Sequence, residues 1–243
     1  MCYNKRRTES KTQSRKTADG CLGVCKSGKA ETEMDTLSGI SASEQEQRRK
    51  VGYSHEELKK FVDTCRRCSL CQTRNKAVMG KGNLHSPVLF IAEAPGASED
   101  RDGIPFTGRS GVLFDRLLEQ VGMSREEIYL TNVVKCHPPG NRDPRPEEQE
   151  ACIPYLKYET LLLRPRIIVC LGRIAAQRII RQDYRITREH GTFLFRKNVW
   201  LTAVYHPSAI LRDESKMEET IRDFQAIRAK IQECEETAAY EKR

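Results

Sequence analysis

Four short apolar runs, separated by stretches with helical periodicity, dominate the pattern of the chain. The first run opens at Pro87 and stops at Glu93; turn formers follow, leaving Glu93, Glu99, Asp100, Asp102 and Phe106 beyond a strand end. Between Arg109 and Val121, the residues Val112, Leu113, Leu117 and Val121 share one helical face, and Gly122 supplies a stop. A capping box, Ser124 with Glu127, precedes the second run, Ile128–Lys135. Pro146 suits the first position of a helix that carries Cys152 and Leu156 toward Leu163. The third run is Arg166–Gly172, with a helix over Ile174–Ile180, and the fourth is Val199–Tyr205. Ile221, Phe224, Ile227 and Ile231 mark a final helix, while Ser54 and Glu57 cap a first one that ends near Cys65. Strands alternating with helices predict parallel pairing, hence an α/β fold: a three-layer α/β/α sandwich around a central four-stranded parallel sheet. No internal repeat is visible.

Parallel strands bring their carboxyl ends to one edge, where ligands of α/β sheets bind. Glu93, Asn132 and His206 stand at or near three such ends, so their convergence on one crevice is a site hypothesis. Each also has a plainer reading. The loop after Glu93 suits a solvated acidic face, Asn132 a turn cap, His206 a packed surface residue, and Phe106 loop packing.

Composition then changes the picture in three ways. Residues 1–50 hold 11 Lys/Arg against 7 Asp/Glu with almost no periodic apolar positions, which predicts a disordered basic tail. A folded domain over 51–235 and a short C-terminal tail over 236–243 follow from the same pattern, and Met34 offers an alternative start. The net charge of +8 and pI near 9.0 favour a polyanionic partner, though half of that excess sits on the tail. No run reaches the ~20 apolar residues of a membrane span and no secretory signal is present, so a cytoplasmic monomer is expected.

Ten cysteines are many for a reducing compartment, where disulfides are rare, and metal ligation is the natural alternative. Cys65-x2-Cys68-x2-Cys71 lies upstream of the first strand, and Cys136 and Cys152 bracket a proline-rich loop. That makes five candidates for a four-ligand site. Zn(Cys)4 and [4Fe–4S] are both allowed, with spacing alone slightly favouring zinc. Cys170 reads as core, Cys2 and Cys234 as bystanders, and Cys21-x3-Cys25 as incidental.

Taken in order, Cys65-x2-Cys68, Gly80-x-Gly82-Asn83, Glu93-Ala94-Pro95-Gly96, Gly103 through Gly108, Tyr129 through Cys136-His137, Cys152, and His206 through Arg212 resemble the family 4 uracil-DNA glycosylases, over about Cys65 to Arg212. Each motif is weak alone; their order and spacing carry the likeness. The resemblance implies a [4Fe–4S] cluster held by Cys65, Cys68, Cys136 and Cys152, with Cys71 left over. It also implies a substrate pocket of Ala94, Gly96, Phe106, Asn132 and His206. There Phe106 would stack on an extruded base, Asn132 read its polar edge, and Glu93 place or activate water. His206, itself catalytic, would serve the leaving group. Ile210 and Leu211 become candidates for a wedge that fills the gap in the duplex, with simple core anchoring of their loop an equal reading. Arg212, Arg142 and Arg145 become candidates for phosphate contact, with Lys135 and His137 beside them.

Two positions depart from the family pattern. Ala92 stands where many members have Gly, and Ala94 where the best-known glycosylase family carries a catalytic Asp. The Lys-Arg-Arg-Ile-His insertion of a branch that attaches covalently to DNA does not follow Lys135. The function implied is release of uracil from DNA by a monofunctional glycosylase with no lyase lysine, followed by other base excision repair proteins. The alternatives are a non-catalytic iron–sulfur nucleic-acid-binding protein on the same fold and a zinc-stapled module with other partners.

Overall fold

A computed structural model describes residues 53–240. The basic tail, the alternative start at Met34, and Cys2, Cys21 and Cys25 lie outside them. The helices are α1 (His55–Asp63), α2 (Ala97–Asp102), α3 (Arg109–Gln120), α4 (Pro146–Leu163), α5 (Arg173–Ile179), α6 (Ile186–Glu189), α7 (Pro207–Ile210) and α8 (Met217–Tyr240). The strands are β1 (Lys81–Gly82), β2 (Val88–Ala92), β3 (Tyr129–Asn132), β4 (Ile167–Leu171), β5 (Leu194–Arg196) and β6 (Val199–Val204).

They form one sheet in the order β1-β3-β2-β4-β6-β5. The inner four strands are parallel, as the alternating pattern requires. The sheet is nevertheless mixed and six-stranded, because β1 and β5 add antiparallel edges. Two- and three-residue exposed strands carry no periodic signal, which is why the pattern predicts only the inner four.

The inner strands are buried on both faces, so they read as continuous apolar runs. Val88, Phe90, Ala92, Ile167, Val169 and Leu171 face Phe114, Leu117, Phe224 and Ile227 of α3 and α8. Leu89, Ile91, Ile168 and Cys170 face Cys152, Ile153 and Leu156 of α4 and Ala175 and Ala176 of α5. This is the three-layer sandwich. Cys170 is core as expected, and Cys234 is buried among the α8 contacts.

Local signals also hold. Ser54 and Glu57 cap α1 reciprocally, Pro146 opens α4, and Gly122, at φ +66°, ends α3. One face is corrected: Val112 is exposed, and the buried positions of α3 are Gly111, Leu113, Phe114, Leu117 and Leu118. The last helix runs through Tyr240, into the stretch expected as a tail.

A buried charge pair stitches β3 to α4. Lys135 Nζ bonds Glu159, the Thr131 hydroxyl at 2.6 Å and the Asn132 carbonyl at 2.8 Å. Glu159 also accepts from Thr131 Oγ1 and from the Gly80 N–H, both at 3.0 Å. Both side chains are about fully enclosed, at 2% and 0% exposure, so every lost partner leaves an uncompensated charge. Glu159→Leu should therefore cost ~3–5 kcal/mol, read as a lower urea midpoint, while Lys135→Met/Glu159→Leu recovers much of that loss.

Candidate active site

Because β2, β3, β4 and β6 are parallel, Glu93, Asn132, Gly172 and His206 stand at or just beyond carboxyl ends on one edge. Chain order reverses there: β3 lies on one side of β2 and β4 on the other, the usual position of a ligand crevice. Ala92 is in register with Asn132, so Glu93 is the next residue beyond that pair.

Asn132 is 1% exposed, and its Oδ1 is buried with no hydrogen-bond partner. A buried unpaired carbonyl costs ~1–3 kcal/mol, and no protein group among the described residues takes up its acceptor capacity. Its backbone carbonyl is fixed by Lys135, whose ammonium supports the end of the strand from behind.

His206 caps α7. Its Nδ1 accepts the Ser208 N–H at 3.1 Å and lies 2.8 Å from Ser208 Oγ. A backbone N–H only donates, so Nδ1 is unprotonated and the ring proton belongs to Nε2. Removal from water, reinforced by Arg212, pushes this imidazole down to about 4, leaving a neutral donor at ordinary pH. Gly172, at φ +90°, makes room for it: a Cβ there would sit 3.0 Å from His206 Cβ.

Phe106 is 6% exposed, with its ring centroid 5.6 Å from that of His206 and 5.2 Å from that of Phe114. Ala94 and Gly96 are half-buried beside the crevice. Glu93 is half-buried too; burial, with Asp143 adding to it and Arg173 opposing, raises its carboxyl to about 7. Asp143 and Arg173 pair at 2.6 Å, joining the proline-rich loop to the start of α5.

The structure corrects several sequence expectations. The segment after Glu93 is not wholly loop, since α2 lies within it. Glu99 and Asp100 are buried, not solvated; they accept from the Gly108 N–H at 3.1 Å and the Asn75 N–H at 3.0 Å. Lys135 is 2% exposed in its ion pair, so it offers no phosphate contact. Ile210 is fully buried in the α3 and α8 core, which leaves Leu211, 40% exposed, as the wedge candidate. The Arg142 guanidinium is committed to Glu148 at 2.7 and 2.8 Å, whereas Arg145 and Arg212 are exposed.

The cysteines occupy the other face of the sheet. Cys65, Cys68, Cys71, Cys136 and Cys152 line one cavity with Arg74, Lys135 and Tyr155. Arg74 donates to Cys136 Sγ at 2.9 Å and to the carbonyls of Asp63 and Cys65, and the Lys135 N–H donates to Cys152 Sγ at 3.2 Å. Burial raises the Cys68 and Cys136 thiols and pushes Cys152 up to about 12. Among the described residues no three His, Cys, Asp or Glu side chains gather tightly enough to hold one metal ion.

Sequence reasoning overlooked Arg74, Asp143, Glu159, Arg173, Asp115 and Arg125. All are charged residues whose importance lies in a partner distant in sequence.

Two substitutions test the electrostatics at Glu93. In Asp143→Asn its carboxyl should titrate below about 7, and in Arg173→Met above it, followed by carbon-13 NMR of the Glu93 carboxyl.

Comparison with known proteins gives these features a context. A family model described as the uracil DNA glycosylase superfamily matches residues 79–232. A Type-4 uracil-DNA glycosylase of Archaeoglobus fulgidus is 41% identical over 182 residues, 72% of this chain and 92% of that one. A Type-4 enzyme of Thermotoga maritima is 40% identical over 171 residues, 67% and 88% of the two chains. A Type-5 uracil-DNA glycosylase of Thermus thermophilus is 37% identical over 120 residues, 43% and 54%. The family match spans every crevice residue and the second cysteine pair, and the chain belongs to the uracil DNA glycosylase superfamily.

Proposed function

We infer that this protein is a monofunctional uracil-DNA glycosylase that releases uracil and leaves an abasic site for base excision repair. The observation that carries the reading is the orphaned, buried Asn132 Oδ1 on the same carboxyl edge of the sheet as His206, whose ring Phe106 contacts. The Type-4 relatives supply the substrate class.

A base inside a duplex is out of reach, so the nucleotide is extruded at a cost of ~a few kcal/mol. Stacking on Phe106 recovers part of that, at ~1–3 kcal/mol per base. Asn132 Oδ1 accepts uracil N3–H and the amide nitrogen donates to O4. Cytosine reverses that pattern, and its misfit leaves buried polar groups unpaired. The C1′–N1 bond then breaks, its electron pair leaving with the base. Nε2–H of neutral His206 donates to the negative charge on uracil O2, a contact of the kind worth ~2.7–4 kcal/mol. Water adds to the cationic C1′, and its surplus proton passes through solvent to the departing uracil anion as the sugar hydroxyl forms. Ionised Glu93 positions that water and stabilises the cation. Leu211 occupies the space left in the stack, while Arg145 and Arg212 meet phosphates.

The donor set fits a [4Fe–4S] cluster on Cys65, Cys68, Cys136 and Cys152. These four thiols share a cavity with Cys71, and Arg74 and Lys135 N–H groups already point at sulfur there. Cluster thiolates each bind a different iron and need not crowd around one ion, whereas zinc demands all four at ~2.3 Å. When bound, the cluster supplies structure: it ties the segment around Cys65 to both ends of the proline-rich loop. No helix among the described residues is long and apolar enough to cross a membrane, and the reading includes a cytoplasmic monomer.

Incubation with uracil-containing single- and double-stranded oligonucleotides should give alkali-labile abasic product; none from iron-loaded protein would defeat the enzyme reading. His206→Ala should lose ~10²–10³-fold in rate while retaining DNA affinity. The wild-type rate should fall as pH drops through about 7, where Glu93 takes up its proton, and Asp143→Asn should move that limb to lower pH. Cys136→Ser should lower iron content and thermal stability together.

A further inference from the structure

Phe106 holds a backbone conformation that ordinary residues avoid, at φ +56°, although it is neither glycine nor asparagine. Such a conformation persists only where the surroundings over-determine it. Two features do so. Arg125, in the short turn Arg125–Glu127 before β3, sends Nη2 to the Phe106 carbonyl at 2.7 Å. Its fork also reaches the carbonyls of Pro105 and Gly111, each at 3.3 Å. Asp115 of α3 grips the same guanidinium at Nε and, at 3.2 Å, at Nη2. From the other side Gly111 lets the Phe106 carbonyl approach the helix, since a Cβ there would lie 1.9 Å from that oxygen. The carbonyl is thus held between a charged fork and a bare helix backbone, while the ring on the same residue lies against Phe114 and His206.

We propose that Arg125 is a positioning residue for base recognition. Its guanidinium, oriented by Asp115, clamps the Phe106 carbonyl against Gly111 and so fixes the angle of the stacking ring beside His206. The proposal rests on the glycosylase reading for its kinetic consequences and on geometry alone for the clamp. Only a planar fork reaches three carbonyls and a carboxylate together, so lysine is a partial substitute.

Arg125→Met and Gly111→Ala attack the same carbonyl from opposite sides, with Arg125→Lys as the conservative variant. Misplacing a reacting group by about an ångström costs ~10²-fold. Both variants should therefore slow single-turnover uracil release by ~10–100-fold and weaken inhibition by free uracil. Affinity for uncleaved DNA should stay within ~2-fold of wild type, because phosphate contacts lie elsewhere. Arg125→Lys should regain part of the rate. NMR shifts of the Phe106 ring protons, set by the neighbouring rings, should move in both variants. Folded variants with wild-type uracil inhibition and unchanged Phe106 shifts would overturn the clamp. If Arg125→Met does not fold, Gly111→Ala decides by the same readouts. Failure of the wild-type protein to release uracil strikes the glycosylase reading instead, and the Phe106 shifts then still decide whether the clamp exists.

Discussion

The buried Lys135–Glu159 pair is the constraint on which both halves of the molecule depend. Glu159 reaches from α4 to β3 and to the chain entering β1, and Lys135 answers it from the end of β3. The same lysine holds the Asn132 carbonyl with its ammonium, and its backbone N–H reaches Cys152 Sγ. Two charges are costly to bury, and their mutual attraction, with the further hydrogen bonds to Thr131, Asn132, Gly80 and Tyr129, offsets that cost. In return, the Asn132 end of β3 and the Cys152 thiol are held by one junction.

That junction explains a division of labour across the sheet. Phe106 packs into the core covered by α3 and α8, while Cys136 and Cys152 pack into the core beneath α4. The cysteines therefore line a cavity of their own, joined to the proline-rich loop that runs between Cys136 and Cys152. Glu148 also shapes this loop, accepting from Arg142, from the Arg145 N–H and from Ser69. Those bonds hold its carboxyl at about 2.

Much of the fold was legible because the four inner strands are buried on both faces and announce themselves as apolar runs. The edge strands were not, since Lys81–Gly82 and Leu194–Arg196 are short and exposed. At the site, Glu93, Asn132 and His206 could be placed from strand ends alone, and the resemblance added Phe106. Local sequence could not reveal that Lys135 pairs with Glu159 twenty-four residues away, or that Ile210 points inward while its neighbour Leu211 stays exposed. Nor could it show Arg125, an exposed-type residue in a capping turn, reaching nineteen residues back to Phe106. Each depends on tertiary contact, and a charged side chain has the same letter whether it is solvated or clamped.

The central claim is that the Asn132 amide, with its Oδ1 unpaired, reads uracil while a neutral His206 donates to it. Its most direct test is single-turnover base release from matched oligonucleotides containing uracil or cytosine, comparing the wild-type protein with Asn132→Ala. The account predicts that wild type releases uracil in preference to cytosine by ~10⁴-fold or more, and that Asn132→Ala loses most of that preference. An Asn132→Ala protein that releases uracil at the wild-type rate, with its discrimination intact, would contradict it.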